Sequence, residues 1–233
     1  MMLWRKRSRD RQRLTDEQLQ VAWQLCSLLV EYPTETLLGR LGLIRQAAAG
    51  LPAYLTEPIG RLADALEATP LGQLQRDYVE TFDHTRRGCL YLTYFTAGDT
   101  RKRGVALVRV KQAYRRAGVE LAVDELPDHL AVVLEFGASA SVEEGWRLLT
   151  DYRASLEVLR ISLQEKGSRW ADVVLAVSRT LPDLGDDERA AVAKLIAEGP
   201  PVEDVGLEPY AIDPRLTESA NPKPDYLLAG ADR

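Results

Sequence analysis

Residues 149–163 read LTDYRASLEVLRISL, with apolar side chains at Leu149, Tyr152, Leu156, Leu159 and Leu163. Steps of 3, 4, 3 and 4 bring each of these back to one face of an α-helix, whereas a half-buried strand needs every second residue to point the same way. The stretch predicts a long amphipathic helix. After KGS at 166–168 the rhythm resumes with Trp170, Val174, Val177 and Leu181, which predicts another.

The same spacing recurs upstream. Leu19, Ala22, Cys26 and Leu29 run at 3, 4 and 3; Leu71, Leu74, Tyr78 and Phe82 at 3, 4 and 4; Leu107, Val110, Tyr114 and Ala117 at 3, 4 and 3. Each set makes one stripe on one helix. No segment alternates in the manner of a strand. Thr15 followed by Gln18 fits a capping box that opens the first helix, and Asp99 or Thr100 suits the cap of a helix closed by Arg115, Arg116 and Gly118. Those two arginines stand where the negative end of a helix dipole favours them. Pro33, Pro52, Pro58, Pro70, Pro127 and Pro182 are expected at or near helix ends. The fold class is therefore all-α, a single-domain helical bundle.

A chain of 233 residues with 45% hydrophobic content is long enough to bury a real core. Its longest apolar runs fall far short of the ~20 residues that cross a bilayer, so no stable membrane insertion is expected. The first 13 residues, MMLWRKRSRDRQR, carry six basic and one acidic side chain, and TDEQLQ follows soon after. Arginines at the start invite comparison with an export signal, but no apolar segment or small-residue cleavage site follows, so the expected location is the cytoplasm. The other 220 residues carry 24 basic against 34 acidic side chains. An acidic body speaks against nucleic-acid binding, which calls for a continuous basic face, and the clusters TRRG at 85–88, TRKRG at 100–104 and RVKQAYRR at 109–116 are read as solvated helix ends.

From Gly199 the sequence turns acidic and proline-rich. Three regions follow: a basic disordered arm at 1–14, an all-helical domain at 15–198 and a flexible acidic tail at 199–233. Scattered Val202, Val205, Leu207, Tyr210 and Ile212 give that tail side chains able to lie along a folded body.

Signatures of catalysis are missing. There is no GxSxG, phosphate loop, GxGxxG, HExxH or CxxC. His84 and His129 are the only histidines, and Cys26 and Cys89 have no partner at metal-ligand spacing, so neither a metal site nor a disulfide framework is expected and no cofactor is named. Cys89, five residues after His84, reads as a small hydrophobe beside a surface loop.

Two places remain for recognition. Tyr78 and Phe82 are either core or the floor of a groove that accepts an amphipathic peptide. At 124–136 the chain reads DELPDHLAVVLEF. A proline and an acidic residue suit the first turn of a helix, and the apolar run behind them predicts burial. Asp128 and His129 are then either a well-made helix start or the polar rim of an apolar channel.

Together DYVETFD at 77–83, GDTRKRGVALVRVKQAYRRAG at 98–118 and ELPDHLAVVLEF at 125–136 resemble the NarJ family of respiratory nitrate reductase assembly chaperones, a branch of the wider TorD and DmsD group. LCSLLVEYP at 25–33 is similar to that family's first helix and its turn. The likeness covers roughly 18–181. It implies an all-helical protein without enzymatic activity that binds the N-terminal segment of the apo catalytic subunit of nitrate reductase. It further implies that the client is kept competent for molybdenum cofactor insertion before membrane docking, with cofactor-biosynthesis proteins as further partners. Its client-binding signature carries over to Pro127, Asp128 and His129, and its aromatic pair to Tyr78 and Phe82. Where relatives place an acidic residue and a histidine ahead of the GD turn, this chain has Tyr94, Phe95 and Thr96, so no histidine role transfers there. Other readings kept beside this one are a general helical adaptor acting through its termini and a chaperone for a different molybdoenzyme.

Overall fold

Thr15 and Gln18 close the expected capping box: the Thr15 hydroxyl accepts the Gln18 amide at 3.2 Å, and the Gln18 side-chain carbonyl accepts the Thr15 amide at 3.1 Å. From there the computed structural model, which describes residues 14–121 and 126–201, is helical almost throughout. Eleven α-helices succeed one another among the described residues: α1 (Asp16–Val30), α2 (Glu35–Ala48), α3 (Ala53–Glu67), α4 (Leu71–Phe82), α5 (Tyr94–Ala97), α6 (Arg101–Arg116), α7 (Leu130–Ser139), α8 (Val142–Asp151), α9 (Arg153–Glu165), α10 (Ala171–Arg179) and α11 (Asp186–Glu198). A 3₁₀ turn at Arg86–Gly88 separates α4 from α5. Thr34, Thr100 and Ser141 cap α2, α6 and α8 with their hydroxyls. After α6 the chain reverses through Gly118 at φ +72°, a conformation open to glycine at no steric cost.

The apolar stripes point inward as their spacing requires. Leu19, Ala22, Cys26 and Leu29 on α1 are buried, as are Leu74, Tyr78 and Phe82 on α4 and Val110 and Tyr114 on α6. α1 lies chiefly against α7 and α10, α3 against α2 and α10, and α9 against α10 and α11. At the centre Trp23 sits over two glycines. A Cβ on Gly145 would fall 2.4 Å from the Gly137 Cα, and one on Gly137 would fall 2.8 Å from the Trp23 ring. Only bare backbone lets α7 and α8 approach that closely with an indole laid across them. The indole nitrogen donates to the Thr180 hydroxyl at 2.9 Å, which ties α1 to the end of α10.

Two expectations are corrected. The stripe from Leu149 to Leu163 does not lie on one helix. Tyr152, at φ −103° and ψ 23°, ends α8, and α9 begins at Arg153. The break directly precedes a buried cation: Arg153 donates to the Ser178 carbonyl at 2.9 Å and pairs with Glu157 at 3.0 Å. A buried guanidinium has to meet acceptors, a demand that apolar spacing does not record. Pro58 is the second correction, since it stands inside α3 rather than at a helix end. The expected basic arm and acidic tail lie outside the described residues, apart from Leu14 and residues 199–201. No helix among the described residues is long and apolar enough to cross a membrane.

Candidate functional site

The segment from Pro127 to Leu130 is fixed from two sides before its own side chains act. Tyr114, on the buried face of α6, donates its hydroxyl to the Pro127 carbonyl at 2.9 Å. On the other side the Leu92 amide donates to the Asp128 carbonyl and the Leu130 amide to the Leu90 carbonyl, both at 2.9 Å. These bonds make an isolated antiparallel bridge between Tyr91 and His129. The entry to α7 is thereby stapled to a loop that follows the 3₁₀ turn.

Asp128 lies beneath the surface, fully buried. Its Oδ2 accepts the Thr93 hydroxyl at 2.6 Å and the Thr93 amide at 3.2 Å, so the carboxylate organises the start of α5. The Arg103 guanidinium stands 3.9 Å from the same oxygen and 5.2 Å from the centre of the Tyr91 ring. Asp128 Oδ1 and Arg103 Nε and Nη2 are buried with no protein hydrogen-bond partner. Such atoms are costly to leave unmatched in a protein interior. Above them His129 is half-buried and caps α7 by position, without a side-chain cap bond. Its ring meets Tyr91 edge-on at 5.3 Å, and Leu126 beside it is 42% exposed. Burial first, then Cys89 and Asp128, hold the Tyr91 hydroxyl above its ordinary pKa, with Arg103 opposing them.

Tyr78 and Phe82 occupy a different neighbourhood. Their rings lie 4.6 Å apart, and both pack edge-on against Trp170, at 5.4 and 5.5 Å. Tyr32 covers Tyr78 from the solvent side at 5.4 Å, and the Tyr78 hydroxyl donates to the Val30 carbonyl at 3.0 Å. At 7% and 6% exposure the pair is core. Burial holds the Tyr78 hydroxyl well above its ordinary pKa. The structure thus gathers Pro127, Asp128 and His129 around Tyr91 and Arg103, and gathers Tyr78 and Phe82 around Trp170.

Sequence reading missed Tyr91, Thr93 and Arg103. Thr93 offers no signal. Arg103 does: it precedes Leu107, Val110 and Tyr114 at steps of 4, 3 and 4, so it stands on the inward stripe of α6 and needs a buried acid. The TRKRG cluster is accordingly divided, with Arg101 and Lys102 exposed and Arg103 turned in.

Cys89, the nearest nucleophile type, has its thiol pushed up to about 11, chiefly by burial, and a protonated thiol is a poor nucleophile. Among the described residues no group of three or more His, Cys, Asp or Glu side chains is placed to hold a metal ion. At the node a small apolar and aromatic surface, Leu126, Tyr91 and His129, lies beside the buried Asp128 and Arg103.

Comparison with known proteins adds a second line. The family profile of the nitrate reductase delta subunit matches residues 48–176. The "Nitrate reductase-like protein NarX" of Mycobacterium tuberculosis is 40% identical over 167 residues, which is 71% of this chain and 25% of that protein. This chain therefore spans only about a quarter of that relative's length. The "Nitrate reductase molybdenum cofactor assembly chaperone NarJ" of Escherichia coli is 33% identical over 166 residues, 68% of this chain and 70% of the relative. The "Probable nitrate reductase molybdenum cofactor assembly chaperone NarJ" of Bacillus subtilis is 32% identical over 108 residues, 46% of this chain and 59% of the relative.

Proposed function

Since the chain belongs to the nitrate reductase delta subunit family, we propose that it is an assembly chaperone for a nitrate reductase. The role is not catalytic. In finer terms it binds the N-terminal segment of the apo catalytic subunit in the cytoplasm and keeps it competent for molybdenum cofactor insertion before the subunit docks on the membrane. Proteins of cofactor biosynthesis are the further partners of such a role. The observation that carries the reading is the match to the Escherichia coli assembly chaperone over about two thirds of both chains. The family match also contains all five residues expected to bind the client, Tyr78, Phe82, Pro127, Asp128 and His129.

In this reading the work is divided among them. His129, with Tyr91 and Leu126 beside it, presents the contact surface, while Asp128 positions that surface from below through Thr93. Arg103, 3.9 Å from the Asp128 carboxylate and 5.2 Å from the centre of the Tyr91 ring, backs the same surface from α6. Tyr78 and Phe82 support from the core. An amphipathic segment recognised by apolar anchors and a few polar groups suits such a site.

Calorimetric titration of a synthetic N-terminal peptide of the nitrate reductase catalytic subunit into the full chain tests this. Wild type binds, and His129→Ala together with Tyr91→Ala weakens binding about tenfold or more, the loss of one central anchor. Failure of wild type to bind removes the N-terminal-segment reading. Binding unchanged in the double variant leaves the chaperone role standing and moves the site elsewhere. Circular dichroism on each variant separates lost contact from lost fold, a control that Asp128→Ala needs most because its carboxylate holds Thr93.

A further inference from the structure

We propose that the cleft at the N-terminal end of α1 is a docking groove, and that its occupant is the segment 1–13 of the same chain. The inference goes beyond the chaperone reading and does not depend on it.

The cleft has a volume of about 910 Å³ and none of the residues assigned to client binding. Leu19, Tyr54, Val142 and Trp146 give it apolar walls from α1, α3 and α8. Trp146 is 36% exposed, one of the few large apolar side chains among the described residues that reach the surface. Three acids, Asp16, Glu143 and Asp183, line the same cleft and are exposed. Two arginines line it as well: Arg179 donates to the Tyr54 carbonyl, and Arg147 meets Glu143, itself a cleft acid, and Glu144, so that acids outnumber bases in the cleft three to two. The groove therefore asks for a basic segment with an apolar or aromatic end.

Residues 1–13 have that composition. Met1, Met2, Leu3 and Trp4 are followed by Arg5, Lys6, Arg7, Arg9, Arg11 and Arg13, opposed by Asp10 alone, a net +5. Their point of attachment lies in the cleft itself, because Leu14 is one of its lining residues. Trp4 stands ten residues from Leu14, and a chain spans at most ~3.3–3.6 Å per residue. It has ample length to reach Trp146 without leaving the groove. A tethered segment meets its site at an effective concentration of roughly millimolar, so modest affinity is enough to fill it. Complementary charge sets the orientation, with the basic stretch along the acidic rim and the apolar end on the walls.

Photocrosslinking in the intact chain tests the proposal. With p-benzoylphenylalanine in place of Trp146, irradiation is expected to join that position to residues 1–13 of the same molecule, as mapped by mass spectrometry at monomer mass. The same reagent at Tyr32, which is exposed but does not line the cleft, is expected to give no such product. Glu143→Lys with Asp183→Lys should cut the yield about fivefold or more, as should Arg5→Glu with Arg7→Glu, since both remove the complementary charge. The second pair leaves the helical body untouched, so the outcome stays readable if the first impairs folding. Crosslinks only to other regions, crosslinks only at dimer mass, or a yield indifferent to the arm substitutions would each overturn the proposal.

Discussion

Arg179 donates to the Tyr54 carbonyl at 2.6 Å, an acceptor that the residue four places on, Pro58, cannot satisfy for want of an amide hydrogen. A proline in the second turn of α3 is thereby tolerated: the guanidinium from the end of α10 supplies the donor. Removing the side chain with Arg179→Ala is expected to cost about 1–2 kcal/mol, the usual penalty for stranding a carbonyl. Pro58→Ala restores an amide at the right place. In that background Arg179→Ala should cost less, so a double-mutant cycle by urea unfolding should give a clear coupling energy. Strict additivity would show that the contact and the proline are unrelated.

Close approach of α7 and α8 makes a second test. With a Gly145 Cβ placed 2.4 Å from the Gly137 Cα, Gly145→Ala must push two backbones apart under the Trp23 ring. The expected loss is about 3 kcal/mol, at the upper end for overpacking. Gly104→Ala is the contrast, because nothing lies within 4 Å of its Cβ, and it should stabilise slightly by helix propensity. Thermal unfolding of the two variants decides the matter, and equal melting shifts would refute the close packing.

Much of this architecture is legible in the sequence because burial of helices is written in steps of three and four. Leu74, Tyr78 and Phe82 face inward for that reason, and Thr15 with Gln18 fixes where the first helix begins. What periodicity leaves out are polar debts settled at long range. Arg153 finds Ser178 across 25 residues, Arg179 finds Tyr54 across 125, and Asp128 finds Thr93 across 35. None of these pairs shares a local pattern. The candidate site was legible as a segment, Pro127 to His129, but not as an arrangement. Asp128 reads as a rim group until its carboxylate is seen to be taken up by Thr93, and Arg103 reads as a surface charge unless its place on the α6 stripe is counted.

The buried charges on α9 predict a large and asymmetric effect. Glu157 accepts from the Arg160 Nε and the Ser178 hydroxyl, each at 2.6 Å, and pairs with Arg153 at 3.0 Å. Both Glu157 and Arg153 are nearly solvent-free, at 2% and 7% exposure. Glu157→Ala leaves that buried guanidinium its Ser178 bonds but removes its counter-charge, and is expected to cost about 3 kcal/mol or more. On the surface Arg45 holds Glu67, which is 66% exposed, and Glu67→Ala should cost under about 1 kcal/mol. Chemical denaturation of both variants measures the contrast. Comparable losses would mean that the α9 cluster is not insulated from water.

Glu144 predicts how stability follows pH. It accepts two bonds from Arg116, at 3.0 and 2.7 Å, and one from Arg147 at 3.2 Å, joining the end of α6 to the first turn of α8. The Arg116 bond, foremost among the causes, holds its carboxyl below the usual glutamate range. A carboxyl depressed in the folded state contributes stability that is present above its unfolded pKa, about 4.3, and is lost as pH falls through the folded value. Glu144→Gln should therefore be less stable than wild type near neutrality, and the difference should shrink as the acid side is approached. Salt should shrink it as well, since Arg116 is half-exposed at 54% and open to screening. Urea midpoints for the two proteins across that range give the answer: a gap that stays constant from neutral to acidic pH would assign the loss to altered packing instead of the ion pair.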